Sequence, residues 1–374
     1  MVHVCFVGYG ISSPWSEGKR VVSRNIIDAI KKYTDLDVSV VSSIAENEGQ
    51  MGGVKYVKTT WFTKYMRYYD PLRDAAMIRL INSTNKEKTI DAIHLLSAHF
   101  PVFSFYAKRM KKPVVAQFFG NPHFNILKPL RVPRAIDLYT TTSIKTEWFA
   151  DLGIKNFQTV NPPIDTELFK PMDKLKARKL LNLPEDVFIV LYMGNLGEVR
   201  FSLSFTEDVK FLRDPDNLLV IFANVVDADW LKKSDAFNNK NITLRKEVVS
   251  ETQKVLIYNA ADVFILPFSK KLNTHKHVFI IDPPITMLEA MSCGTPVIAP
   301  DVFSIPKIIK SGHNGYITHL GDFGKVNNIL YHMSNDGSES DGIKTNARNT
   351  IINEFSYEKA ASRMERIYKV LSNG

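Results

Sequence analysis

Cysteine is scarce in this chain. There are two in 374 residues, Cys5 in an apolar strand-like run and Cys293 at the end of a helical one. One thiol in each half argues against a disulfide framework and for reduced thiols in an intracellular protein. Long apolar runs are missing too, and none approaches the ~20 residues that a membrane-spanning helix needs. The opening MVHVCFVGYG is apolar but has no basic start and no small-residue cleavage site, so it reads as a first buried strand rather than a secretion signal. No repeat period or low-complexity tract is evident, and NDGSESDG (335–342) reads as a polar loop. A nucleic-acid motif is also lacking. The net charge of +9 is spread through the chain, with only short clusters such as KRMKK (108–112), so nucleic acid is set aside as a partner. The surplus charge points instead to a phosphate-bearing ligand or an anionic membrane surface.

What the chain does hold is globular material, 45% hydrophobic and 23% charged, in enough length for two domains that each bury a core. Strand-like and helical runs alternate almost throughout, which predicts an α/β fold of parallel sheets covered by helices. The first half offers strands at 2–8, 37–41, 92–96, 113–118 and 138–142, with helices over 18–32 and 73–82. The second half offers strands at 188–193, 218–223, 242–244, 263–266 and 296–299. A proline-rich segment, 161–174, reads as a linker between an N-terminal domain (1–160) and a C-terminal domain (175–356), and a last helix spans 357–371.

The most informative stretch is PPITMLEAMSCGTPVIAP, residues 283–300. Two prolines open a helix over 286–292, which stops at Gly294 before a buried strand. The N–H groups of Ile285, Thr286 and Met287 are then expected free at a helix N-terminus, where the macrodipole favours an anion. Glu289, one turn in, is placed to accept hydrogen bonds from the vicinal hydroxyls of a sugar. A phosphate and a ribose one helical turn apart imply a nucleotide-sugar enzyme. The plain alternative is an exposed glutamate that only complements the dipole. The proline loop before it and the Gly-Thr-Pro turn after it weigh against that.

LEAMSCGTPVIAP (288–300) is similar to the donor-site signature of retaining glycosyltransferases of family 4, whose fold is GT-B. Four more segments follow that family's pattern in order: VNPPIDTELFKP (160–171), MGNLGEVRF (193–201), YNAADVFILPF (258–268) and SGHNGYI (311–317). The resemblance is dense from about 135 to 371 and thin before that. It implies two Rossmann-like domains facing across a cleft, with the nucleotide sugar held by the C-terminal one. The acceptor would be received by the N-terminal one, and a C-terminal helix (357–374) would cross back to it. By the same resemblance Glu289 holds the ribose, and Gly194 and Asn195 belong to the phosphate-binding turn. Arg200 stands where the family has a phosphate lysine, and its planar fork grips two oxygens at once. Gly18 and Lys19 fall in the first loop, which by the resemblance contacts the acceptor or the donor phosphate, with a plain strand-to-helix turn as the other reading. Glu247 and Val248 fall near the base. His123, displaced within QFFGNPHF (117–124), is set against the transferred sugar, with a solvated loop histidine as the other reading.

The implied reaction is retaining transfer of a hexose from a UDP- or GDP-linked donor to a hydroxyl acceptor on a glycan or a lipid-linked glycan. The departing phosphate takes the acceptor's proton, and no metal or other cofactor is required. His275 and His277 in THKH lack an acidic or thiol companion and read as a loop rather than a metal site. The chain also departs from the family. A usual second glutamate is replaced by Ile281, with Asp282 beside it as a donor-site candidate, and Phe201 stands where a glycine is common. A nucleotide-sugar epimerase or phosphorylase of the same fold and a non-catalytic nucleotide-sugar-binding subunit therefore stay open. WFTKYMRYYDPLR (61–73) packs aromatic and basic residues together, as an interfacial helix does, with an aromatic-rich loop as the equal alternative. The expected location is cytoplasmic, with attachment to the cytoplasmic face of a membrane left open.

Overall fold

The computed structural model describes residues 1–13, 15, 17–44, 49–58, 70–96, 100–120, 136–144, 146–151, 153–232, 237, 239–273, 281–335 and 338–373. They form two compact units, Met1–Pro163 with Tyr357–Gly374, and Ile164–Ser356. Each is built on one parallel sheet, and the fold is GT-B.

In the first unit β1 (His3–Tyr9), β2 (Asp37–Ile44), β3 (Val54–Lys58), β4 (Ala92–Leu96), β5 (Val114–Phe118), β6 (Leu138–Thr141) and β7 (Phe157–Thr159) lie in the order β3-β2-β1-β4-β5-β6-β7. The run HVCFVGY of β1 is buried along nearly its whole length, as a central parallel strand covered on both faces must be. The helix Gly18–Tyr33 buries Val22, Ile26, Ile27 and Ile30. It packs along the last helix, Tyr357–Asn373, through a small cluster of Ala29, Tyr357 and Ala361. That last helix also delivers Tyr368 to the core. Its hydroxyl lies 2.5 Å from Nδ1 of His94 on β4, and the His94 ring stacks on Phe6 at 5.2 Å between centroids. Full burial without a counter-charge pushes the His94 pKa down to about 3, so the ring is neutral.

In the second unit β8 (Phe188–Met193), β9 (Asn217–Ala223), β10 (Ile242–Lys246), β11 (Val263–Ile265), β12 (Val297–Pro300) and β13 (Tyr316–Thr318) lie in the order β10-β9-β8-β11-β12-β13. Arg178, buried on the helix Lys174–Leu180, fastens the sheet's starting edge. Its Nη2 meets Asp262 Oδ2 at 2.6 Å, and it donates to the carbonyls of Ala260, Glu185 and Val187. Asp262 also accepts from the N–H of Ile189, so its part is structural.

The ten expected strands are all present. The sequence reading does not contain β3, β7 and β13, which are short edge or near-edge strands with half-exposed residues and so carry little periodicity. The second long helix runs Pro71–Glu87 rather than 73–82, capped by Asp70, whose Oδ1 accepts from the N–H groups of Leu72 and Arg73. The polar run 335–342 is not simply a loop, since a helix begins at Ser338. Residues 61–69 of the aromatic-basic segment lie outside the described residues. Among the described residues no helix is long and apolar enough to cross a membrane.

Both sheets share one feature that positions a site. The chain order reverses once, between β1 and β4 in the first and between β8 and β11 in the second, and such a switch point opens a crevice beyond the carboxyl ends of the two strands.

Candidate active site

At the second unit's switch point, β8 and β11 are hydrogen-bonded neighbours, so the loops that follow them leave the sheet side by side. The first loop starts at Gly194, where a Cβ would come within 3.0 Å of the Tyr192 hydroxyl. That hydroxyl donates to Asn195 O at 2.8 Å and shapes the turn from inside. Burial raises the Tyr192 pKa, while the charge of the nearby Arg200 opposes the rise. Arg200 is half-buried on a tight turn, its N–H donating to Gly197 O. Phe201, in the place of a family glycine, is fully buried and packs edge-on to Tyr192, Phe205 and Trp230. Its side chain anchors the loop from below. Two backbone bonds then stitch this loop to the segment after β11: Ser202 N–H to Pro267 O at 2.8 Å and Ser269 N–H to Val199 O at 3.0 Å. A Glu198–Lys271 ion pair adds to them.

The other wall is the helix Ile285–Ser292, which starts one residue earlier than expected. Pro284 occupies its N-cap and no side chain caps it. The expectation of three free N–H groups is corrected to two. Met287 N–H donates to Pro284 O at 3.2 Å in a tightened first turn, which leaves Ile285 and Thr286 without acceptors among the described residues. Asp282 does not present its carboxylate to a ligand. It is buried, and its two oxygens accept from the N–H and Oγ of Ser304 at 2.9 and 2.7 Å, which holds the loop before the helix.

Glu289 is 1% exposed, so it is not a surface residue complementing the dipole. Lys254 Nζ lies 3.0 Å from its Oε1 and 3.2 Å from its Oε2, and the Tyr258 hydroxyl donates to Oε2 at 2.7 Å. The same hydroxyl is 3.4 Å from Met193 Sδ at the end of β8, so a single side chain separates Glu289 from the Gly194 loop. Burial and the neighbouring Glu289 charge both drive the Tyr258 pKa up, which keeps it a donor. Of the carboxylate's lone pairs, Oε1 keeps one in hand for a ligand hydroxyl.

The sequence reading missed Lys254 and Tyr258. Both lie on the helix Glu251–Ala260, which opens with a Ser250–Gln253 capping box. That Ser-x-x-Gln signature fixes the helix start, and the four-residue spacing then puts both side chains on one face. Glu247 and Val248 are exposed just beyond β10, two strands from the switch point. Gly18 and Lys19 open the helix Gly18–Tyr33 of the first unit, Gly18 half-buried and Lys19 exposed. His123, His275 and His277 lie outside the described residues. Among the described residues no three His, Cys, Asp or Glu side chains gather to hold a metal ion.

Residues 173–350, nearly the whole of the second unit, match the family described as "Glycosyl transferases group 1". The chain is 25% identical over 218 residues to the N-acetyl-alpha-D-glucosaminyl L-malate synthase of Bacillus anthracis, covering 57% of this chain and 54% of the relative. It is 26% identical over 215 residues to the UDP-Gal:alpha-D-GlcNAc-diphosphoundecaprenol alpha-1,3-galactosyltransferase of Escherichia coli, covering 55% and 52%. The matches thus span about half the length of these curated relatives. Among solved structures, Anabaena HepE in complex with UDP and glucose superposes with a TM-score of 0.77 at 14% identity, covering 99% of this chain and 100% of that one. The sucrose-phosphate synthase of Thermosynechococcus elongatus gives 0.74 at 14% identity, covering 99% of both chains.

Proposed function

This chain carries a domain of the glycosyl transferases group 1 family on a GT-B fold, and from that premise we propose that it is a retaining glycosyltransferase. It moves a hexose from a UDP-linked sugar to a hydroxyl acceptor, with no metal ion. The observation that carries this reading is the Met193–Tyr258–Glu289 contact, which sets a buried glutamate behind the end of β8, where the Arg200 loop begins, one turn into a helix whose first two N–H groups are unpaired among the described residues. UDP is chosen over GDP because solved neighbours of the same fold hold UDP and UDP-glucose.

When the bond from the sugar to the diphosphate breaks, negative charge gathers on the terminal phosphate. Arg200 and the N–H groups of Ile285 and Thr286 receive that charge. Donors held before the ligand arrives add no reorganisation cost in the transition state. Gly194 and Asn195 let the phosphate approach the backbone, Glu289 takes a ribose hydroxyl on Oε1, and Glu247 and Val248 border the base. Gly18 and Lys19 of the first unit contact the acceptor or the donor phosphate, and His123 reaches the transferred sugar. The departing phosphate takes the acceptor's proton on the same face.

Thermal unfolding with UDP in the presence of a chelator tests the core of this reading. At ~100 times its dissociation constant UDP should add about 2.7 kcal/mol of stability. No stabilisation by UDP, GDP or their sugars sinks the proposal. Consumption of UDP-sugar without any acceptor, giving an isomeric sugar, replaces it with an epimerase.

The acceptor is proposed to be lipid-linked, met at the cytoplasmic face of an anionic membrane. The name of the E. coli relative includes such an acceptor, and the first unit exposes Leu72 (75%) and Phe105 (74%) on its helices. Sedimentation with anionic and neutral vesicles decides it, because equal recovery with both leaves a soluble acceptor.

A further inference from the structure

The second unit has a cavity of about 390 Å³ on the side away from the switch point. Its lining includes Ala261 and Pro296, which precede β11 and β12, so it lies at the strands' starting edge. One wall is a single face of the helix Ser338–Glu354, where Lys344, Thr345, Arg348 and Asn349 recur at helical spacing. Lys174 stands among the other lining residues.

Arg348 is the unusual member. Its Nη1 donates to Phe169 O at 3.1 Å and Ser292 O at 2.6 Å, and its Nη2 donates to Thr166 O at 3.2 Å. Among the described residues no carboxylate pairs with it, and the Nε–H and the second Nη2–H have no acceptor. Those two N–H groups are left for a ligand, and a guanidinium donates neighbouring N–H groups to two oxygens of a carboxylate or phosphate in parallel. Lys344 lies one helical turn away, and its own partner, Asp341, is 84% exposed at 3.0 Å, a pairing that water screens. Lys174 is paired to Asp262 at 2.7 Å. The lining therefore carries three cations and one carboxylate, with hydroxyl and amide groups from Thr345 and Asn349 beside them. The volume is that of a small-metabolite site.

We propose that this cavity binds a small phosphomonoester, with two phosphate oxygens on those N–H groups of Arg348 and Lys344 as the second cation. The site is separate from the donor crevice and does not depend on how that crevice is read.

Calorimetric titration of the full chain with inorganic phosphate and with glycerol 3-phosphate tests it. Arg348→Ala would also release three carbonyls and disturb the fold, so the diagnostic variants are Lys344→Glu and Asn349→Ala. Lys344→Glu sets a carboxylate one turn from Arg348 and takes up its N–H groups from within. The expected result is binding of both probes, weakened at least tenfold by Lys344→Glu and about threefold by Asn349→Ala, and unchanged by Arg200→Ala. Binding lost in Arg200→Ala but kept in Lys344→Glu assigns the phosphate to the donor crevice and overturns the proposal, as does failure of both probes to bind. UDP stabilisation measured on the same variants reads the donor site independently, so either site can fail alone.

Discussion

At the end of β8 in the second unit, the loop 194–202 is stitched to the segment after β11 by backbone bonds, and Glu289 behind it is fixed by Lys254 and Tyr258. At the end of β1 in the first unit, side chains of the strand and of the helix Pro71–Glu87 pair with one another. The Tyr9 hydroxyl donates to Asp74 at 2.7 Å, and the Arg73 guanidinium lies 3.8 Å over the Tyr9 ring. Arg73 Nη2 and Asp70 Oδ2 are buried with no partner among the described residues. The two switch points share a topology, but among the described residues the second has its two loops tied by backbone bonds while the first keeps two buried polar atoms without a partner. Donors fixed before a ligand arrives need no reorganisation when charge develops on it. The family match over 173–350 falls on the second unit.

The largest expected effect falls on the second unit. Glu289→Ala strands the half-buried Lys254 and the buried Tyr258 hydroxyl together, which should cost about 3–5 kcal/mol of stability in urea unfolding. The double variant Glu289→Leu with Lys254→Met should recover most of it. A loss below about 1 kcal/mol would show that water already screens the pair, and the contrast between the units would collapse. Next comes Arg200→Ala, expected to lower kcat about 100-fold while UDP binding falls far less. Equal losses in both would make Arg200 a positioning residue.

The first unit offers smaller effects. The His94 pKa, held near 3 in the native state against ~6.5 unfolded, makes the unfolded chain bind the proton first as pH falls. The ring's contribution is therefore intact above about pH 6.5 and is lost progressively down to about pH 3. Stability at pH 5.5 should be about 1.4 kcal/mol lower than at pH 8 from this group alone. His94→Gln should flatten that slope, and an unchanged slope assigns the acid sensitivity elsewhere. Asp70→Ala removes the helix cap and should cost about 1 kcal/mol. No measurable loss would show that water takes over the N–H groups of Leu72 and Arg73.

Much of this was legible in the sequence because it is written in local periodicity. The central strands are continuous apolar runs, and the 283–300 stretch places a helix start and a buried strand within one window. The edge strands β3, β7 and β13 were not legible, since half-exposed residues on a sheet edge carry no two-residue alternation strong enough to stand out. The N–H of Met287 was misjudged because Pro284 at the N-cap tightens the first turn, a matter of dihedral angle rather than residue type. Lys254 and Asp282 show the same limit in the site. Lys254 meets Glu289 across 35 positions, and the partner of Asp282 is Ser304 across 22. Such pairings exist only once the sheet has formed.

The last helix has a consequence for how this protein is made. Because Tyr357–Gly374 complete the first unit, that unit is interrupted by the whole of the second. During synthesis the second unit can finish while the first still lacks its closing helix. The apolar stripe of Gly18–Tyr33 and the pocket around His94 then wait for the intervening chain, about 10–40 s at ~5–20 residues per second. Loss of residues 357–373 would accordingly be felt first far back in the sequence, as a failure of residues 18–33 to find their cover.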